Sequence, residues 1–201
     1  MIDREGSTFL IDIQEVAILR IVPSTKPHQD RAEKREELIG AARRLFIEDG
    51  FEATSMAHLA RTAGVAPNTI YWYFEDKDAM LIAVLEAAVA EALAGYADIV
   101  NEPLEHQVRW SVDQLMQLRK LISALHARLE RSPALNAWHT TFHHNTEALL
   151  RAALQQHGAT EQDLDAETRI WVFTVEGLLT HQLPDDEQDA ICRQLVARAT
   201  N

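Results

Sequence analysis

Two short amphipathic segments separated by one glycine constrain the fold of this chain most. In "FEATSMAHLARTAG", apolar residues at 56, 59, 60 and 63 recur at helical spacing and stop at Gly64, a residue suited to end a helix. Three residues later, Pro67 suits the first position of another helix, because its fixed φ matches the helix and its missing N–H needs no partner there. The sequence therefore predicts one short helix capped by Thr54 or Ser55, and another from Pro67 to about Phe74.

The second of these helices crowds its aromatic side chains into "YWYF", residues 71 to 74. Ile70 and Phe74 are four apart and share one face, which we expect to turn toward a preceding helix. Burying all four rings of so short a helix is geometrically implausible, so at least two should face solvent. The residues predicted to face largely outward are Asn68, Thr69, Tyr71, Trp72 and Tyr73.

Helical spacing also covers the rest of the chain after residue 30. A first helix runs from Arg31 to just before Gly50, and a long helix starts after Asp78 and ends near Pro103. Further helices are predicted over residues 104–131 with an interruption, 134–157, 163–182 and 186–199, and no segment reads as a strand. The predicted fold class is therefore all-α, with an N-terminal three-helix domain at 31–77 and a C-terminal helical domain at 78–201.

Residues 1–30 fit neither domain. The segment "FLIDIQEVAILRIV" suits a helix or a strand, and "PSTKPHQD", with its two prolines, is typical of a linker. We treat these residues as an N-terminal extension. The sequence leaves open whether it is an ordered appendage or a disordered segment.

The number of cysteines and the distribution of charge limit the expected cellular location and binding partners of the protein. Cys192 is the only cysteine, so an intramolecular disulfide is excluded and a reducing cytoplasm is the expected location. No uninterrupted apolar run approaches the roughly 20 residues of a membrane-spanning helix, so we expect no membrane partner. The net charge is −12, but residues 31–77 carry seven Lys or Arg against eight Asp or Glu, whereas residues 78–201 carry nine against eighteen. A nucleic acid partner should therefore meet the 31–77 domain.

Two short helices joined by a tight glycine-containing turn form a helix-turn-helix unit, whose second helix enters the major groove of DNA. Asn68 and Thr69 can hydrogen-bond base edges or phosphates, and Tyr71 and Tyr73 can donate to backbone oxygens. Lys77 adds a cation just beyond. The alternatives are packing against a neighbouring helix for the tyrosines and a solvated charge for the lysine. Trp72 could equally brace the next helix.

The stretch "TSMAHLARTAGVAPNTIYWYFEDKDAML" resembles the DNA-binding segment of the tetracycline-repressor-like (TetR) family of bacterial transcriptional regulators. The resemblance runs from Glu36 to Leu85 and includes "LFIEDGF", "AGV" and "DKDAML" in the same order and spacing. It implies that Tyr71, Tyr73 and Lys77 clamp phosphates. It also implies groove-facing or phosphate-side positions for Pro67, Asn68, Thr69, Trp72 and the helix cap Ser55.

Two residues depart from the pattern of that family. Ala57 stands where many members carry an arginine that touches DNA, and Ala66 replaces a frequent serine cap of the recognition helix. The first change weakens any expectation of base contacts from the preceding helix. The second could cost about 1 kcal/mol of capping unless Pro67 or Asn68 compensates.

The resemblance implies further that residues 78–201 bind a small-molecule effector and form a homodimer. The last two helices, residues 163–199, are the predicted interface, as a four-helix bundle around a two-fold axis. That symmetry would place two recognition helices in successive major grooves of a pseudo-palindromic double-stranded operator, about 34 to 36 Å apart. The interface candidates are Trp171, Val172, Val175, Leu178 and Leu179, which surround Gly177.

The predicted effector pocket lies among the middle helices of the second domain. Apolar and aromatic side chains are the usual walls of such a pocket, although the same residues at helical spacing are ordinarily core. The candidates are Trp110, Met116, Trp138 and Phe142.

His139 and His143 in "WHTTFHHN" are four apart and raise the question of a metal site. A third ligand is missing nearby in the sequence, so we expect no metal and no cofactor. A Gly-rich phosphate loop, a nucleophile elbow and an HExxH motif are all absent from the sequence, so we expect no catalytic residues. The prediction is a ligand-responsive, DNA-binding repressor. The alternatives are a helical metal-dependent enzyme using these histidines and a dimeric module without DNA binding.

Overall fold

The computed structural model describes residues 26–158, 160–181 and 183–199 of the chain, with side chains from residue 30 onward. Within these ranges the chain forms helices joined by short turns and contains no strand, which confirms the all-α prediction. The extension predicted for residues 1–30 lies almost wholly outside the described residues. The helices are α1 (Lys26–Glu48), α2 (Met56–Thr62), α3 (Pro67–Ile70), α4 (Lys77–Ile99), α5 (Leu104–Gln117), α6 (Arg119–His126), α7 (Pro133–Gln156), α8 (Leu164–Thr180) and α9 (Asp185–Ala199).

The first buried cluster holds α1, α2 and α3 together. Phe46 of α1, Leu59 of α2 and Ile70 of α3 are almost completely buried in it. The same cluster includes Leu121 of α6 and Leu135 of α7, so the helices predicted as one domain share their core with later helices. The chain divides into two units after residue 36, inside α1, and every contact described below lies within the second unit. The boundary at residues 77 and 78 stays a prediction.

The recognition helix is shorter than the sequence predicts. α3 ends at Ile70 rather than near Phe74, and residues 71–73 form a turn. The cause is the start of the next helix, because Asp76 has an extended backbone and caps α4 by accepting a hydrogen bond from the Ala79 amide at 2.7 Å. The chain must leave the helical path before that cap. Ile70 and Phe74 are nevertheless both buried, as predicted.

α4 is the central helix of the first cluster. Met80, Leu81, Val84 and Leu85 are almost completely buried, which fits the apolar spacing of this segment. Of the helices in the described ranges, α4 is the one that is long and apolar enough to cross a membrane, judged by length and composition alone. A core helix of a water-soluble fold has the same composition, and the buried residues of α4 all belong to the first cluster.

The second buried cluster joins α5, α7, α8 and α9. Val112 of α5, Leu164 and Trp171 of α8 and Cys192 of α9 are buried in it. The interruption predicted within residues 104–131 falls at Leu118, where α5 ends and α6 begins. The other predicted helices of this part agree with α7, α8 and α9 to within two residues at each end.

Candidate nucleic-acid interface

The α2–α3 pair is fixed by its caps and its turn. Ser55 caps α2, because its hydroxyl oxygen accepts a hydrogen bond from the His58 amide at 3.1 Å. Gly64 has a φ of 67°, a left-handed conformation that glycine adopts without strain. The Val65 amide then donates to the Ala60 carbonyl at 2.9 Å, which closes the turn. α2 and α3 are therefore held in one arrangement by backbone geometry.

The outer face of α3 and of the turn after it is open to solvent. Trp72 is 78% exposed and Tyr71 is 54% exposed. Pro67 and Asn68 are also exposed, and Thr69 is half-buried. The sequence prediction that at least two of the four rings face solvent is confirmed.

Tyr73 differs from the expectation that it faces largely outward. It is half-buried, and its ring packs against the first cluster. The reason is the early end of α3, because the turn that replaces the last helical residues changes the direction in which residues 71–73 point. Tyr73 therefore offers less accessible surface than Tyr71.

Lys77, the first residue of α4, is engaged within the chain. Its ammonium donates hydrogen bonds to the carbonyls of Phe51 at 2.7 Å and Thr54 at 3.0 Å. The Nζ atom also lies 4.1 Å from the centre of the Phe51 ring, a cation–π distance. Desolvation by burial lowers the pKa of Lys77, with the charge of Glu52 acting in the opposite direction. An ammonium has three donors, so one N–H remains for another acceptor.

Arg128, which follows α6, connects the start of α4 with the turn after α1. Its Nε and Nη2 donate to the two carboxylate oxygens of Asp78 at 2.7 Å and 3.0 Å, and its Nη1 lies 3.4 Å from Glu52. Burial raises the pKa of the Asp78 carboxyl, but hydrogen bonds from Arg128 and Ser132 outweigh this and hold the pKa below its usual value. The paired arrangement is the strong, bidentate form of an ion pair.

A second cation, Lys120 of α6, reaches the other end of the same segment. Lys120 donates a hydrogen bond to the Ile47 carbonyl, in the last turn of α1, at 2.7 Å. Because Arg128 holds Asp78 and Lys120 holds Ile47, the region of α6 is linked to both ends of the segment that carries α2 and α3.

The four predicted pocket residues fall into different surroundings. Trp138 and Phe142 stack on each other, with ring centres 5.4 Å apart and planes 9° from parallel, and Trp138 packs against the first cluster. Met116 packs against the second cluster. The Trp110 ring lies 6.3 Å from that of Tyr96. Among the four, the rings of Trp138 and Phe142 are in direct contact.

A shallow cleft lies between α1, α4 and α5. Its empty volume is about 300 Å³, which includes space open to solvent. None of the four predicted pocket residues lines this cleft. Its walls are Arg43, Ala88, Glu91, Ala92, Gln114, Gln117 and Leu118.

The face of α8 that points outward differs from the one expected from the sequence. Trp171 and Leu178 were interface candidates, but both are buried in the second cluster of their own chain. Phe173 is instead 65% exposed and Ile170 is 37% exposed. A β-carbon added at Gly177 would meet no atom within 4 Å, so the same face is open there as well.

The histidines of α7 have neighbours that the sequence did not reveal. His139 Nε2 lies 3.0 Å from His143 Nε2 and 3.2 Å from His126 Nε2 of α6, and Glu176 of α8 lies 3.6 Å from His143. Desolvation, with the neighbouring charges of His143 and His126, lowers the pKa of His139 to about 4. His126 and Glu176 lie too far from this pair along the chain for any spacing rule to find them.

Comparisons with known proteins agree with this geometry. Residues 38–84 match the family model of bacterial regulatory proteins, tetR family. The chain is 32% identical over 97 residues to the HTH-type transcriptional regulator AcrR of Shigella flexneri, a match covering 48% of this chain and 42% of AcrR. It is 28% identical over 144 residues to the HTH-type transcriptional regulator UidR of Escherichia coli strain K12, covering 65% of this chain and 71% of UidR. This chain thus spans less than half of the length of AcrR.

Similarity of fold extends over a larger part of the chain. A crystal structure of a transcriptional regulator from Rhodococcus sp. Rha1 superposes with a TM-score of 0.71 and 20% identity, covering 82% of this chain and 95% of that one. The capped α2, the glycine turn and the exposed α3 form a helix-turn-helix unit, the arrangement that many DNA-binding proteins use. Residues 38–84, which carry this unit, match the tetR family model, and the relatives that the chain resembles are HTH-type transcriptional regulators.

Proposed function

We propose that this protein is a homodimeric transcriptional repressor that binds a pseudo-palindromic DNA operator through α3 and is released by a small-molecule effector. The exposed outer face of α3 and of the turn after it carries the proposal. Tyr71 and Trp72 together present a large aromatic surface to solvent, which a water-soluble chain ordinarily keeps for a partner. The match of residues 38–84 to a family of regulators supports DNA as that partner.

The proposed DNA contacts follow from exposure. Asn68 and Trp72 lie on the open side of α3 and its turn, where they would face the groove, and the Tyr71 hydroxyl would donate to a phosphate. Lys77 would offer its third N–H to a phosphate while its other two hold the turn after α1. Pro67, Thr69, Tyr73 and Ser55 complete the proposed contact set at its edges.

The proposed dimer uses the outward face of α8, with α9 beside it. Phe173 and Ile170 form an exposed apolar strip, and Gly177 on the same face leaves room for another helix to approach closely. An isologous contact of this strip would give the two-fold axis that a pseudo-palindromic operator requires. Phe173→Asp should therefore yield monomers in sedimentation experiments, whereas Leu93→Asp, at an exposed apolar position of α4, should leave the dimer intact.

The proposed release mechanism uses the contacts of Lys120 and Arg128 with the segment between Ile47 and Asp78. This segment carries α2 and α3, and we call it the DNA-reading segment. An effector that shifts α6 would move Arg128 and Lys120, and with them Asp78 and Ile47. A coupling of about 1 to 3 kcal/mol would change operator affinity roughly 5- to 150-fold. Trp138, Phe142, Trp110 and Met116 remain the proposed effector contacts.

Selection of bound duplexes from a random library tests the DNA-binding step, and the recovered sequences should contain two half-sites of inverted orientation. On such a duplex, Tyr71→Phe should weaken binding about tenfold, because it removes one hydrogen bond to a charged phosphate. Tyr96→Phe is the matched control, since that hydroxyl donates to Gln107 within the chain. Recovery of no preferred sequence, or equal affinities for the wild type and Tyr71→Phe, would count against the assignment.

A further inference from the structure

The histidine cluster consists of His126 of α6 with His139 and His143 of α7, and its contacts exceed what its ring nitrogens can satisfy by hydrogen bonding. His139 Nε2 faces His126 Nε2 at 3.2 Å and His143 Nε2 at 3.0 Å. A ring nitrogen offers either one N–H or one lone pair, so a single atom cannot form two full hydrogen bonds with two such neighbours. The three imidazoles therefore lie next to one another, and hydrogen bonding between them leaves one of the two contacts of His139 unsatisfied.

The ring separations are also those of imidazole nitrogens that share one metal ion. Two nitrogens bonded to one tetrahedral zinc ion at 2.0 to 2.1 Å are about 3.3 Å apart. The distances of 3.0 Å and 3.2 Å between the Nε2 atoms are close to that value. His139 and His143 are also spaced four residues apart on α7, which places both rings on one face of the helix, as in other two-histidine zinc sites.

A carboxylate stands at the edge of the same group. Glu176 Oε1 of α8 lies 3.6 Å from His143 Nε2, and its side chain is 43% exposed, so it has room to turn. His126 is the last residue of α6 and is exposed, so its ring can also rotate. Over the residues that the structure describes, no three His, Cys, Asp or Glu side chains are already grouped to hold an ion. The His126 ring already lies beside His139, so small rotations of His126 and Glu176 would suffice to bring both into the geometry of a third and a fourth ligand.

We propose that His139 and His143 bind a divalent transition-metal ion of the zinc class, with His126 and Glu176 completing its coordination. Imidazole nitrogens with one carboxylate favour zinc, nickel or copper over magnesium and calcium, which prefer oxygen ligands. The site connects three helices of the C-terminal part. It is separate from the exposed face of α3.

The test is zinc binding by the protein without a histidine tag, after removal of metal by a chelator and with no DNA present. Calorimetric titration should show one zinc ion per chain, and magnesium should not compete. Cobalt should give the visible absorption of a four-coordinate site. His139→Ala and His143→Ala should each weaken zinc binding at least about tenfold, since even loss of a residue that only supports a ligand costs that much.

His144→Ala is the matched control, because His144 is an exposed histidine of the same helix outside the cluster, and it should bind zinc like the wild type. His139→Gln and His143→Gln serve where an alanine variant loses its helical circular dichroism. Wild-type protein without stoichiometric zinc, or cluster variants that bind as the wild type does, would overturn the proposal. If His126→Ala and Glu176→Gln both leave the affinity unchanged, the four-ligand assignment is wrong. None of these results bears on operator binding, which is measured separately.

Discussion

The ion pair between Arg128 and Asp78 gives the most direct test of how the DNA-reading segment is held. Replacing Arg128 with Met keeps most of the side-chain length and removes both hydrogen bonds to Asp78, at 2.7 Å and 3.0 Å. The Asp78 side chain is only 14% exposed, so its carboxylate would lose its partner without gaining full hydration. Loss of charge-assisted hydrogen bonds at a partly buried site should lower the free energy of unfolding by about 2 kcal/mol.

The pH dependence of this loss in the free energy of unfolding provides a second test of the same ion pair. The pKa of Asp78 is lowered in the folded chain, so the pair contributes stability above the unfolded pKa of about 3.9 and loses it as the pH falls through the folded value. The difference between wild type and Arg128→Met should therefore be full near neutral pH and shrink as the pH falls below about 4. Urea unfolding followed by circular dichroism at several pH values measures both quantities.

The chain offers a matched control for this prediction, and two outcomes would contradict it. Arg131→Met changes an exposed arginine three residues later and should alter stability by less than about 0.5 kcal/mol. A double-mutant cycle with Asp78→Asn should return a coupling energy of about 1 to 2 kcal/mol. If Arg128→Met and Arg131→Met are equally stable at neutral pH, or if the difference does not change with pH, the pair does not hold the segment as described.

Three further changes test the packing and the DNA-reading turn. Gly95→Ala should destabilise the chain by about 1 to 3 kcal/mol, because a β-carbon there would lie 2.8 Å from the Trp110 ring. Gly40→Ala in α1 is the control: its β-carbon would meet only the end of a flexible arginine side chain at 3.9 Å, so the change should stabilise the chain by about 0.5 to 1 kcal/mol. Thermal unfolding of both variants measures these differences. Ser55→Ala should lower the free energy of unfolding, measured with a chemical denaturant, by about 1 kcal/mol because it removes the α2 cap. An unchanged free energy would show that the cap does not contribute to stability. Lys77→Met should reduce the salt dependence of operator binding by about one charge, and an unchanged slope would remove Lys77 from the phosphate contacts.

Sequence patterns located the helices because their signals are local. Apolar residues at helical spacing, a serine cap at Ser55, a proline at Pro67 and glycines at positions 50 and 64 act within a few residues, so they can be read without knowledge of the rest of the fold. The exposed rings on α3 followed from the same local geometry. The early end of α3 was missed because Asp76, six residues after Ile70, begins a competing helix.

The tertiary structure alone decided which faces and which distant side chains meet. α8 reads "IWVFTVEGLL" over residues 170–179 and is apolar on most sides, so periodicity could not tell that Trp171 points inward and Phe173 outward. Arg128, just after α6, contacts Asp78 of α4, and His126 of α6 contacts His139 of α7. Such pairs depend on how packed helices are placed against each other, and hydrophobic spacing along one helix contains no information about that placement.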